Sequence, residues 1–250
     1  MTNIIEIDHL NHTFSDGSLG LNNIQLSIKK GSFVVLAGSN GSGKTTLLRH
    51  LNGLLLPTAG EVRIEGIPVA TNLTYARQKV GMVFQDTDSQ IVGETVFEDI
   101  AFGPENLRLN RDEINRRVTT ALDLVGLSTR AEDRPHLLSG GQKRRLTIAG
   151  ILAMEPAILV FDEPFSNLDF PGIISVLKHI VSLHKQGHTI LLTTHDLEKV
   201  IAHADRLLIM DNGRIVRDDR PQKLFKDLES FGVRQPCASR IGGEVSSWLE

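Results

Sequence analysis

The segment Gly38-Ser39-Asn40-Gly41-Ser42-Gly43-Lys44-Thr45 fits the phosphate-binding pattern G-x-x-x-x-G-K-[ST] at every fixed position. It follows Phe33-Val34-Val35-Leu36-Ala37, a continuous apolar run of the kind that forms a strand buried on both faces. It precedes Leu47-Leu48-Arg49-His50-Leu51, which reads as helix. Strand, glycine-rich turn and helix in that order point to an α/β core. Glycines let the turn close so tightly that backbone N–H groups converge on an anion, and the helix adds the positive end of its dipole. In such a loop Lys44 neutralises phosphate charge, while Thr45, followed by Thr46, offers a hydroxyl to Mg²⁺.

The rest of the chain supplies the remaining parts of such a core. Ile24, Leu26 and Ile28 alternate with polar residues, as do Val62 and Ile64 before Gly66, which predicts antiparallel strands near the amino end. From Asp86 to about Leu127 the pattern turns helical. Asn110 and Glu113 have capping-box spacing, Ile114, Val118, Ala121, Leu122 and Val125 share one face, and Gly126 ends the helix. Ala157–Phe161 and Thr189–Thr193 read as buried strands separated by a helix through Ile173, Val176, Leu177 and Ile180. That succession predicts parallel pairing. Asp211-Asn212-Gly213 between two apolar runs is a hairpin turn. Residues 1–220 are read as one domain, with a helical subdomain over about 86–150. Residues 221–250 are read as a separate helical tail.

Two carboxylates end an apolar strand in Ile158-Leu159-Val160-Phe161-Asp162-Glu163. A buried strand end tolerates an acid only where a cation or donor awaits it. Asp162 is assigned to Mg²⁺, directly or through water. Neighbours on a strand face opposite ways, so Glu163 is free for a second role, as general base or orienting group for the attacking water. His195, after the strand Leu191-Leu192-Thr193-Thr194, is placed at the γ-phosphate. Each of these alone reads as structure; beside the phosphate loop they read as chemistry.

Composition removes other classes. The 250 residues carry a formal net charge of −3, so no basic field argues for nucleic acid. Met1–Leu10 contains Glu6 and Asp8, unlike an ordinary secretory signal. The longest nearly apolar stretch, Ile148–Phe161, is broken by Glu155 and Pro156 and falls short of the roughly 20 residues of a spanning helix. Work at a membrane therefore requires docking onto another chain. The single Cys237 reads as an inert thiol, and His184 with His188 form no convincing metal set.

Leu138-Ser139-Gly140-Gly141-Gln142, ahead of Lys143-Arg144-Arg145, reads as a second set of amides opening a helix. Here the chain resembles the ATP-binding cassette (ABC) family, over about residues 4 to 220. The resemblance implies a P-loop NTPase core with an amino-terminal antiparallel β subdomain and a helical signature subdomain. It implies ATP and Mg²⁺, an adenine-stacking aromatic at Phe14, and Gln85 reaching Mg²⁺ and water. It also implies that Ser166-Asn167-Leu168-Asp169 meets the opposite subunit, although the family usually has a small residue where Asn167 stands. Two subunits then pack head to tail, as a homodimer or with a paralogous chain, each signature serving the partner's nucleotide. The basic trio Lys143–Arg145 is expected to form a solvated helix face.

Gln85-Asp86-Thr87-Asp88-Ser89-Gln90, then Thr95-Val96-Phe97-Glu98-Asp99-Ile100-Ala101-Phe102-Gly103, is similar to the energy-coupling-factor importer group within that family. The group's usual pattern is F-Q-N-P-D-N-Q, from which this chain departs at Asp86, Thr87 and Ser89. The similarity implies an importer of a metal ion or vitamin, at the cytoplasmic face of the membrane, with arginines of an integral membrane partner entering a groove beside this segment. Asp86, Asp88, Glu94, Glu98 and Asp99 make that segment acidic and suited to receive them. The tail resembles the group's carboxy-terminal extension, which helps the subunits associate. A conventional ABC transporter is the first alternative and a soluble ABC ATPase the second. The 95 positions between Lys44 and Ser139 leave no room for the long coiled coil of the repair type.

Overall fold

A computed structural model describes residues 2–249. Two sheets organise it. Strands β1 (Asn3–Thr13), β2 (Leu19–Lys29), β4 (Ala59–Ile64) and β5 (Ile67–Pro68) form an antiparallel sheet in the order β2-β1-β4-β5. The second sheet has the order β10-β9-β3-β8-β7-β6. Its members are β3 (Phe33–Ala37), β6 (Val80–Val83), β7 (Ile158–Asp162), β8 (Thr189–Thr193), β9 (Arg206–Asp211) and β10 (Arg214–Asp219). All neighbouring pairs there run parallel except β9 with β10, which are joined by the expected Asn212-Gly213 turn.

Of the five parallel strands, β3, β6, β7 and β8 are buried along their whole length, which explains their unbroken apolar runs. Alternate side chains serve two separate cores. Phe33, Val35, Leu159, Phe161, Ile190 and Leu192 join the helices on one face. Val34, Leu36, Ile158, Val160 and Leu191 meet the antiparallel sheet and helix α1 (Lys44–Leu51) on the other. Each such fully buried side chain contributes about 1.5–3 kcal/mol relative to exposure. The sheet is thus fixed from both sides, and its carboxyl ends are a rigid rim.

A short helix, α2 (Leu73–Lys79), leads into β6. Helices α3 (Val96–Asn106), α4 (Arg111–Val125) and α5 (Gly140–Leu152) pack on one another as an arm, and α6 (Phe170–Lys185) joins the sheet. In α4 the Asn110 side chain caps the first turn, Ile114, Val118, Ala121, Leu122 and Val125 are buried, and Gly126 closes the helix with φ +66°. Residues 86–95, expected to be helical, are loop instead. Asp99 explains this by turning back to accept hydrogen bonds from the Val92 and Gly93 amides. The helix starts only where Thr95 and Glu98 form a reciprocal capping box.

The segment after Pro221 is helical in short turns, and its first part is no separate tail. Leu224, Phe225, Leu228 and Val233 are buried in the helix-side core. Further on, Trp248 packs against Phe170 with ring centroids 5.7 Å apart. Among the described residues no helix is long and apolar enough to cross a membrane.

Candidate active site

The site lies at the carboxyl ends of β3, β6, β7 and β8, where a parallel sheet with crossover helices leaves a crevice. The turn after β3 needs its glycines. Gly38 has φ +155°, and a Cβ there would stand 2.3 Å from the Met210 carbonyl oxygen. Gly43 has φ +101° and would press on the Gly20 carbonyl at 2.9 Å. Any side chain at either position would force the loop off β9 or β2. Helix α1 starts from Gly43 with no side-chain cap, so its first amides are not met by a capping side chain.

Lys44 is buried and donates through Nζ to the Gly38 and Ser39 carbonyls, at 2.8 and 2.9 Å. Burial pushes its pKa down, while Glu163 and then Asp162 pull it back up. A cation held in this way is short of negative charge. Ser42 Oγ is 2% exposed as a residue and has no hydrogen-bond partner. An orphaned hydroxyl beside an under-neutralised lysine suits an anion.

Asp162 is 3% exposed. Its Oδ1 accepts from the Thr193 hydroxyl at 2.6 Å and its Oδ2 from the Thr45 hydroxyl at 2.7 Å. Neither donor is a cation. A buried carboxylate and a hydroxyl in contact, both hard oxygen donors, suit Mg²⁺. Glu163 lies one residue past the end of β7, with φ +48°. Strand alternation is therefore not what separates the two acids; a left-handed residue is, at a cost of about 1 kcal/mol. The Glu163 amide is held by Thr193, through both its carbonyl and its hydroxyl oxygen. His195 Nδ1 donates to Glu163 Oε2 at 2.9 Å, with the histidine side chain 65% exposed and the glutamate 11%. That bond orients the carboxylate and leaves Nε2 open.

These groups share one cleft. It is lined by Phe14, Gly38, Ser39, Asn40, Gly41, Gly43, Lys44, Thr45 and Thr46, with Gln85, Asp162, Glu163 and His195 opposite. Ser42 is buried behind the loop. Phe14 stands exposed at the rim, its ring edge-on to His12 at 4.8 Å, over Gly20, where a Cβ would collide with it at 2.6 Å. Gly232, from the carboxy-terminal segment, also reaches this cleft, which no local sequence signal announced.

Ser139, Gly140, Gly141, Gln142 and Asp169 do not line it. Ser139 caps α5: its Oγ accepts from the Gln142 amide at 3.3 Å, and Gln142 Oε1 accepts from the Ser139 amide at 2.8 Å. The S-x-x-Q spacing carried that signal. Asp169 caps α6 by accepting from the Gly172 amide at 3.0 Å. Asn167 has φ +61°, a conformation asparagine accepts better than most residues, which accounts for asparagine at that place.

Two expectations about charge are corrected. The basic trio is not a solvated face. Arg144 is 3% exposed and donates to the Phe84 and Gln85 carbonyls, Arg145 donates to the Val125 carbonyl at the end of α4, and Lys143 pairs with Asp88 at 2.6 Å. The acidic segment is largely spent internally, in Asp88 on Lys143, Glu98 in its capping box and Asp99 on loop amides. The cleft beside it, of roughly 500 Å³, is mixed in charge, with Asp88 and Glu94 facing Arg134, His136 and Lys143.

Residues 21–166 match the family described as ABC transporter. The chain is 44% identical to the energy-coupling factor transporter ATP-binding protein EcfA of Methanocaldococcus jannaschii, over 91% of this chain and 83% of that one. It is 43% identical to EcfA2 of Clostridium perfringens, over 96% and 89%. Among solved structures, cbiO1 from Clostridium perfringens, described as part of the ABC transporter complex cbiONQ, superposes with a TM-score of 0.83. Identity there is 35%, over 97% of this chain and 98% of that one. A dimeric bacterial ABC transporter cassette, MJ0796, has a TM-score of 0.77 at 30% identity, over 86% and 98%.

Proposed function

Because this chain belongs to the ABC transporter family of ATP-binding subunits, we propose that it hydrolyses ATP to power an energy-coupling-factor type importer. The cargo is a metal ion or a vitamin, and the chain works at the cytoplasmic face of the membrane, bound to integral membrane subunits. The observation that carries the reading is the convergence of Lys44, Thr45, Gln85, Asp162, Glu163 and His195 on one cleft from four strand ends. The names of the relatives support the importer class.

Phe14 stacks on adenine, and the amides of residues 38–46 with Lys44 hold the phosphates. Thr45, Asp162 and Gln85 would hold Mg²⁺. When bound, Mg²⁺ neutralises charge that develops on the transferred phosphoryl group. Glu163, fixed by His195 and by the Thr193 contacts on its amide, orients a water and takes its proton at Oε. Ser139, Gly140, Gly141 and Gln142 bind the partner subunit's nucleotide across a head-to-tail dimer, with Asp169 at that interface. Dimer closure on ATP and reopening after hydrolysis move the membrane helices seated in the cleft at Asp88 and Glu94.

Replacing Glu163 by Gln keeps the size and the left-handed backbone but removes the proton acceptor. ATP affinity should hold, and kcat should fall by about 10²–10³-fold or more. Wild-type turnover in that variant would remove Glu163 from its role. Purification from native membranes in mild detergent should bring down integral membrane chains; recovery with ribosomes or DNA alone would refute the transport reading.

A further inference from the structure

Two histidines lie in the core behind the cleft and have no part in the chemistry above. His50, on the last turn of α1, is fully buried, and His12, near the end of β1, is 7% exposed. Their rings meet edge-on, with centroids 4.8 Å apart. His50 Nδ1 stands 2.7 Å from the Thr46 carbonyl, which can only accept, so in the neutral ring the proton is on Nδ1 and Nε2 is an acceptor. Burial, which lowers the His50 pKa, favours that neutral ring. His12 Nδ1, 3.2 Å from that Nε2, is then the donor, and its N–H is shared with the Leu56 carbonyl at 3.3 Å. The pair thus has one arrangement of its bonding protons, and the His12 ring has one orientation.

His12 also carries Phe14. The two rings are T-shaped, 4.8 Å apart with their planes at 84°. Both lie over Gly20 of β2, where a Cβ would stand 2.6 Å from Phe14 Cε2 and 3.3 Å from His12 Cδ2. The Gly20 carbonyl in turn faces the phosphate loop, 2.9 Å from where a Cβ on Gly43 would be. Phe14 lies just past the end of β1 and is 39% exposed, so burial holds only part of its ring. A polar pair in this place is costly for mere packing, since two apolar side chains would fill it without the desolvation. What a histidine at position 12 adds is a flat ring whose tilt is set by hydrogen bonds as well as by packing, placed against an aromatic ring that is open toward the cleft.

We infer that His12, anchored on His50, is a positioning residue for nucleobase recognition: it fixes the tilt of the Phe14 ring at the rim of the cleft. The inference rests on the reading of Phe14 as the ring that stacks on adenine. It adds a link between the two ends of the nucleotide, because the Thr46 carbonyl that anchors the pair belongs to the first turn of the phosphate-binding helix. The ring that meets the base is thereby registered, through His12, His50 and Thr46, against the helix that meets the phosphates.

The test compares magnesium ATP with magnesium tripolyphosphate, which has the phosphates and no base, on the full chain. Calorimetric affinities for both, steady-state kcat and KM, and thermal unfolding are measured on His12→Asn, Phe14→Ala and the double variant. Asparagine keeps an N–H donor toward His50 but loses the ring. His12→Asn should weaken ATP binding and raise KM about fivefold to tenfold, with tripolyphosphate affinity and saturated kcat within about twofold of wild type. The double variant should bind ATP no more weakly than Phe14→Ala alone, since both changes remove the same contact. Unchanged ATP affinity in His12→Asn, equal losses for ATP and tripolyphosphate, or losses that multiply in the double variant would overturn the inference. If His12→Asn yields too little folded protein, His50→Asn, which frees the His12 ring to turn, should give a smaller loss of the same pattern, and equal losses for the two ligands overturn it there. Phe14→Ala with full ATP affinity would instead refute stacking by Phe14, and this inference with it.

Discussion

Helices α1 and α5 begin alike, with glycines and a hydroxyl residue, and are finished in opposite ways. At α1 the start is bare: Gly43 provides no cap, Ser42 Oγ has no partner, and Lys44 bonds only backbone carbonyls. At α5 the start is complete, because Ser139 and Gln142 satisfy each other's amides. The difference follows from what surrounds each end. Around α1 the same chain supplies walls and carboxylates, so an anion can finish the job in a ready-made cleft. The head of α5 lies outside that cleft and needs its own cap in the free subunit. Ser139 Oγ accepts from the Gln142 amide, so its hydrogen is still available to an oxygen that arrives from another chain.

The comparison breaks most easily at Lys44. Lys44→Ala should weaken ATP binding roughly a hundredfold, equivalent to about 3 kcal/mol. It should leave the thermal midpoint of the nucleotide-free chain unchanged or higher, because burial already disfavours this cation. A drop in that midpoint would mean that the lysine is chiefly structural. Next in size is Ser139→Ala. Loss of the cap should cost about 1 kcal/mol in denaturant unfolding. ATP binding to the single subunit should not change, while turnover of the dimer falls on the order of tenfold to a hundredfold. Reduced ATP affinity in the single subunit would place Ser139 in its own chain's site and erase the contrast.

The same contrast explains which parts of the fold and site are legible in the sequence. The loop at α1 is legible because its whole logic is local: eight adjacent residues, an apolar run before and a helix after. Asp162 and Glu163 are legible for the same reason, although a left-handed φ at Glu163, and not strand alternation, separates them. Around α5 the logic is long-range. Arg144 meets Gln85 across 59 positions and Lys143 meets Asp88 across 55, so a row of basic residues looked like solvent-facing charge. One clue existed: Arg144 precedes Ile148 by four positions and Ile151 by seven, on the face where buried residues recur. The acidic loop misled in the mirror sense, since its carboxylates cap amides and pair with Lys143. Strand order, with β3 between β8 and β9, depends on pairings no local pattern encodes.

The smallest expected effect separates α1 from the α5–α6 side of the molecule by pH. His50 ends α1, fully buried, with Nδ1 on the Thr46 carbonyl and Nε2 near His12. Burial pushes its pKa below the ordinary 6.5; the Thr46 carbonyl pulls it back, and His12 pushes it further down. His179, on α6, is shifted the same way, first by burial and then by Arg145 of α5. In both cases the native state resists a proton that the unfolded chain accepts. Their contribution to stability is therefore complete above pH 6.5 and is lost as pH falls below it. His50→Asn and His179→Asn should each flatten the decline of unfolding free energy between pH 7.5 and 5.5. Only His50→Asn should also reduce the loss of ATP affinity over that range relative to wild type, because Thr46 lies in the cleft and no part of the α5 head does. If His179→Asn protects ATP affinity equally, the interaction of α6 with Arg145 of α5 is already coupled to the nucleotide site in the single subunit, and the two regions are not energetically separate.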